Sequence, residues 1–148
     1  MGASSSIGSA LLLALVALCA TAFAATPPPS TYVVIINPSN PATAVDRAFL
    51  EDAFLKKTTR WPNDDVIRPA DLASGSPVRR RFTEDVLKRS VEAVKGYWQQ
   101  RIFSGRDVPP PEFDTDDEAV KYVLKYEGAV AYVSGNANLN GSKVVAVR

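Results

Sequence analysis

Three observations predict an α/β fold, a three-layer α/β/α domain with a mixed sheet. Two apolar runs without alternation, Tyr32-Val33-Val34-Ile35-Ile36 and Ala129-Val130-Ala131-Tyr132-Val133, read as strands buried on both faces. Between them, apolar residues recur at helical spacing behind helix-start signals. The resulting order of strand, helix, short strand, three helices and two strands is one that a mixed sheet covered by helices accommodates.

Residues 1–24 read as a secretory signal. Leu11 to Ala24 is an apolar run too short to span a bilayer comfortably, and Ala22-Phe23-Ala24 is a small-x-small cleavage pattern that leaves Ala25 as the new N-terminus. Met1 to Ser9 lacks Lys and Arg, so an uncleaved anchor is the competing reading. Cys19 sits behind the bulky Leu18, which is the wrong neighbour for a lipid-attachment box. Residues 25–30, with Pro27-Pro28-Pro29, form a stiff leader, and residues 31–148 form the domain.

Within the domain, Asn37 to Pro41 is a tight loop after the first strand. Ligands of open α/β sheets bind at that end of a strand, which makes Ser39 and Asn40 secondary site candidates beside their ordinary role in turn chemistry. Thr43-Ala44-Val45-Asp46 resembles a capping box, with Val45, Phe49 and Ala53 as the stripe of a helix reaching about Lys57. Val66-Ile67 is expected to be a very short strand broken by Pro69. Phe82, Val86 and Leu87 give the next helix its buried side and leave its arginines outside, and Val91, Val94, Trp98 and Ile102 mark a third helix. Pro109-Pro110-Pro111 is an extended crossing. Thr115 to Glu118 is a second capping box, Gly128 stops that helix, and Asn140-Gly141 turns the chain into a final strand from Val144.

Composition excludes several chemistries. Residues 25–148 contain neither Cys nor His, so they can build no disulfide, thiolate nucleophile, imidazole base or Cys/His zinc site. Adjacent Asp64 and Asp65 lack a third ligand nearby, and Asp116-Asp117 sit where helix capping explains them, so no metal, cofactor or enzymatic role is assigned. The net charge of +1 points to neither nucleic acid nor membrane. Locally, Arg79 to Arg106 holds eight basic and three acidic residues, and Asp107 to Glu127 seven acidic and two basic, so these two stretches could pair with each other.

The stretch with the most chemistry is Ser74-Gly75-Ser76-Pro77-Val78-Arg79-Arg80-Arg81-Phe82. Ser76 suits an N-cap and Pro77 the first helical position, whose missing N–H costs nothing there. The N–H groups of Val78 and Arg79, the hydroxyls of Ser74 and Ser76, the helix dipole and the guanidinium groups of Arg79 and Arg80 then converge where a small oxyanion such as phosphate would dock. Three cations opposing the dipole by about 0.3–1 kcal/mol each need compensation, from an anion, an acidic partner surface or nearby carboxylates.

A resemblance adds to this reading. The strand and loop Tyr32 to Asn40, Phe54-Leu55-Lys56-Lys57 with Trp61-Pro62-Asn63, Ile67-Arg68-Pro69, Ser74 to Phe82, Tyr97-Trp98 with Ile102-Phe103-Ser104-Gly105, Pro109 to Pro111 and Gly128 to Val133 follow one another in order. Over roughly Thr31 to Val147 this order resembles the small phosphate ABC transporter substrate-binding-like proteins, similar to one lobe of the type 2 periplasmic binding fold. The resemblance implies a non-enzymatic extracytoplasmic protein, periplasmic or secreted. It would bind phosphate at the loop matched by Ser74, Gly75 and Ser76, with an ABC transporter, another envelope protein or a second copy as partner. The Ser-Gly-Thr of the family is here Ser-Gly-Ser followed by Pro77, one backbone donor fewer, and only one lobe is matched. The alternative expectation is an envelope interaction module whose arginine face docks an acidic protein.

Overall fold

In a computed structural model of the chain, the described residues are Gly2 and 31–148. The signal sequence and the leader expected over residues 1–30 therefore lie outside the described residues, Gly2 apart. The elements are β1 (Tyr32–Ile36), β2 (Ala44–Val45), α1 (Arg47–Phe54), β3 (Arg68–Leu72), α2 (Pro77–Val86), α3 (Val91–Phe103), β4 (Glu112–Phe113), α4 (Asp116–Lys125), β5 (Ala129–Ser134) and β6 (Lys143–Val147). They make one six-stranded mixed sheet in the order β2-β6-β1-β5-β3-β4. β1 is antiparallel to both β5 and β6, whereas β3 runs parallel to β5 and β4.

The two unalternating runs occupy the middle of the sheet, as their composition requires. All five residues from Ala129 to Val133 are fully buried, so β5 is covered on both faces. On one face Tyr132 of β5 stacks on Phe82 of α2 with ring centroids 3.9 Å apart, and Phe54 of α1 lies 4.8 Å from Phe82. α4 packs against β1, β3, β4 and β5 and buries Ala119, Val120 and Val123. Its predicted capping box is present, with Thr115 accepting from Glu118 N–H and Glu118 accepting in return.

Several expectations are corrected. The supposed capping box at Thr43 to Asp46 is strand instead: the carbonyls of Thr43 and Val45 accept from Ala146 and Arg148, which commits this backbone to a parallel pairing with β6. Helix α1 consequently starts later, at Arg47. The third strand lies not at Val66-Ile67 but at Arg68–Leu72, with Pro69 inside it. Arg68 N–H points to Gly128 O, just before β5, so the missing Pro69 N–H falls on the opposite side, where β4 first pairs at Asp71. Gly128 does not end α4, whose C-cap is Tyr126; a Cβ on Gly128 would lie 1.8 Å from the Val66 carbonyl oxygen, and this close approach is what demands glycine. The buried stripe of α3 stops at Trp98, leaving Ile102 half exposed. Finally, the arginines of α2 are not all outside, since Arg79 is buried at 2% exposure.

Candidate functional site

Helix α2 crosses the sheet, and residues three apart on it meet successive strands. Arg79 reaches Leu72 at the end of β3, Phe82 stacks on Tyr132 of β5, and Asp85 accepts from Tyr32 of β1 at 2.7 Å. The loop between β3 and α2, Ala73 to Ser76, therefore stands at the C-terminal end of β3 and at the positive end of a ten-residue helix. It is tied down from below: Ala73 N–H donates to Phe113 O at 2.8 Å and Ser76 N–H to Ala73 O at 2.9 Å.

Ser76 is the N-cap and Pro77 the first helical residue, as expected. The cap consumes one donor that the sequence reading left free, because Ser76 Oγ accepts the Arg79 N–H at 3.3 Å. The Val78 N–H makes none of the turn or cap hydrogen bonds of this loop among the described residues. Ser74 is half-buried and Gly75 exposed, and a Cβ on Gly75 would meet no atom within 4 Å, so the loop opens outward onto free space. Arg80 stands exposed in the first helical turn, with no carboxylate within 4 Å among the described residues.

The Arg79 side chain is turned inward, not towards that space. Its Nη1 donates to Leu72 O at 2.7 Å and to Glu112 Oε1, and its Nη2 lies 3.7 Å from Asp71 Oδ2. Asp71 also accepts from the Tyr132 hydroxyl at 2.7 Å, and that hydroxyl in turn accepts from Leu72 N–H. Burial pushes the Asp71 carboxyl above the usual carboxylate range while Arg79 opposes the shift, and burial pushes the Tyr132 hydroxyl up as well. This cluster supplies the carboxylates that compensate one of the three arginines. It is also the one bridge between the basic stretch 79–106 and the acidic stretch 107–127 among the described ion pairs. Sequence reasoning missed Asp71 and Tyr132. The signal was a charged residue in the otherwise apolar Ala70-Asp71-Leu72, but its meaning depends on a strand 61 residues away.

Ser39 and Asn40 do not join this site. Because β1 runs antiparallel to β5 and β5 parallel to β3, the end of β1 lies at the opposite end of the sheet from Ser74 to Ser76. Their side chains do turn work there: Ser39 Oγ donates to Asn37 Oδ1 at 2.6 Å, and Asn40 Oδ1 accepts from Ala42 N–H at 2.9 Å. Among the described residues no group of three His, Cys, Asp or Glu side chains could hold a metal ion.

A mixed sheet flanked by helices, with a helix entering at the C-terminal end of a parallel strand, is a fold that one lobe of a substrate-binding protein also has. The solved structures it is similar to are of that kind. A putative phosphate ABC transporter substrate-binding protein from Clostridium perfringens, solved with bound phosphate, matches at TM-score 0.62 and 20% identity, over 78% of this chain and 44% of that one. An ABC-type phosphate transport receptor from Vibrio cholerae matches at 0.59 and 16%, over 78% and 45%, and a possible phosphate binding protein from Planctomyces limnophilus at 0.58 and 21%, over 79% and 41%. At these identities the likeness shows the fold, and the chain spans less than half the length of these structures. No family model and no curated protein matches. No helix among the described residues is long and apolar enough to cross a membrane.

Proposed function

We propose that the chain is an extracytoplasmic solute-binding module for phosphate or a similar tetrahedral oxyanion, linked to phosphate transport and delivered by the signal sequence at residues 1–24. The observation that carries this reading is the open loop Ser74-Gly75-Ser76 at the N-terminus of α2, in a fold whose solved examples include one with phosphate bound. The donors would be the Ser74 hydroxyl, the Ser74 and Gly75 amides, the Val78 N–H and the Arg80 guanidinium, aided by the helix dipole. Arg79 would act from beneath, fixing the loop through Leu72 O. A site open on one side leaves water competing for every donor, so a lone copy binds weakly, and a second copy or an envelope partner such as an ABC transporter would close it.

Isothermal calorimetry with inorganic phosphate tests this directly. Saturable heat that is lost in Ser74→Ala and Arg80→Ala, at unchanged thermal stability, is expected. Absence of any heat at millimolar phosphate overturns it. The exposed Arg80 and Arg81, unpaired among the described residues, favour a second reading in which this face docks an acidic protein. Binding of a polyglutamate probe that persists in Ser74→Ala and vanishes in Arg80→Ala/Arg81→Ala would select it.

A further inference from the structure

The three most exposed large apolar side chains among the described residues fall within seven positions of one another: Ile102 at 51%, Phe103 at 91% and Val108 at 61%. They sit where α3 ends. Gly105, at φ 65°, turns the chain back, with its N–H on Ile102 O at 3.0 Å and the Arg106 N–H on Arg101 O at 3.0 Å. This turn brings Arg106 to the same recess as Arg101, a hollow of about 310 Å³ lined by Tyr97, Gln100, Arg101, Ser104 and Arg106.

Neither arginine has a carboxylate within 4 Å among the described residues. The neighbouring acid, Asp107, is taken by Lys56 at 3.3 Å and by the Val108 N–H at 2.8 Å. The Arg101 guanidinium lies over the Tyr97 ring, 5.2 Å from its centroid, while its Nε is buried without a hydrogen-bond partner. A basic residue in a last helical turn complements the dipole, which accounts for Arg101 alone. It leaves unexplained a second unpaired cation and three apolar side chains held in water beside it.

We propose that this turn docks on an anionic phospholipid surface, Arg101 and Arg106 receiving a lipid phosphate in the recess while Phe103, Ile102 and Val108 enter the interface. The charge is complementary, the Nε finds an acceptor, and aromatic and aliphatic side chains flanked by arginines are the composition that interfacial segments use. A soluble anion would make no use of Phe103. The proposal is independent of the oxyanion reading at Ser74 to Ser76.

Co-sedimentation of the full chain with vesicles of phosphatidylcholine, with and without phosphatidylglycerol, tests it. Residues 1–46 contain no Lys or Arg, so partitioning through the apolar run Leu11 to Ala24 senses lipid charge only through the α-amino group, which every variant shares, and the phosphatidylglycerol-dependent part compared between variants is the readout. That part is expected to fall with added salt and to drop roughly 25-fold in Arg101→Gln/Arg106→Gln, two charges at about 1 kcal/mol each. It should also drop in Phe103→Ser, whose thermal melt should match the wild type because the side chain is in solvent. Equal binding to neutral and anionic vesicles, or full binding by the double variant, overturns the proposal. Amide shifts confined to residues 101–106 on adding sn-glycerol 3-phosphate or inorganic phosphate, without vesicle binding, reassign the recess to a soluble anion and also overturn it.

Discussion

Arg79 and Asp71 meet inside the protein, Nη2 3.7 Å from Oδ2, with both side chains shut away from solvent. The pair joins α2 to β3 directly under the Ser74 to Ser76 loop, and Glu112 on the edge strand β4 completes it. Arg79→Met would leave Asp71 buried without its guanidinium, a change that costs about 3–5 kcal/mol. Urea unfolding at neutral pH should show that loss, and Asp71→Asn added to it should restore part of the stability. The pH dependence follows from the direction of the Asp71 shift, which is upward. A raised carboxyl penalises folding above its folded pKa and ceases to do so below its unfolded one, so Arg79→Met should recover stability as pH falls towards 4. A variant within 1 kcal/mol of wild type at neutral pH would show that the pair contributes nothing.

Gly128 is a second point where a small change should be costly. Trp61 Nε1 donates to its carbonyl at 2.9 Å, and the Val66 carbonyl oxygen occupies the place of a Cβ. Both obstacles are backbone or buried, so Gly128→Ala must move the start of β3 or of β5. The expected loss is about 1–3 kcal/mol, read as a lowered thermal midpoint. A midpoint equal to wild type would mean that this approach relaxes freely.

How much of this was legible in the sequence depended on how local each cause was. Tyr32 to Ile36, the Thr115 to Glu118 box and the Ser76-Pro77 helix start were readable, because apolar runs and caps act within a few residues. The same local logic misassigned Thr43 to Val45, since Ala146 and Arg148, a hundred residues on, claim that backbone for a strand. Gly128 reads as a helix stop until Val66 is seen against it. For the candidate site, the position of the loop before α2 was readable, but the inward turn of Arg79 and the removal of Ser39 and Asn40 to the far end of the sheet follow from strand direction and pairing.

Asp85 gives the fold an acid-sensitive contact. The Tyr32 hydroxyl and then Arg47, at 3.1 Å, hold its carboxyl below the usual range, while burial and the hydrogen bond to Asp85 push Tyr32 up to about 12. A depressed carboxyl stabilises the fold above its unfolded pKa, and that contribution is lost as pH falls through the folded value. Asp85→Asn should therefore be less stable than wild type at pH 7, by about 1 kcal/mol or less given the partly solvated pair, with the difference closing as pH falls below the usual carboxylate range. Thermal melts across that range measure it, and a difference that grows on acidification would contradict the assignment.

Ser74 and Ser76 look equivalent in sequence, and the structure separates them. Ser76 Oγ is occupied as the cap acceptor of the Arg79 N–H, so Ser76→Ala should cost about 1 kcal/mol of stability whatever the loop binds. Ser74 makes no such bond among the described residues, and Ser74→Ala should leave the melt within about 0.5 kcal/mol of wild type. If the loop takes an oxyanion, the two variants diverge in a second measurement. Phosphate should raise the thermal midpoint of Ser76→Ala, whose Ser74 hydroxyl and freed Arg79 N–H both remain to bind it, and should raise that of Ser74→Ala less. Equal phosphate shifts in both variants, or none in wild type, would confine these serines to shaping the turn.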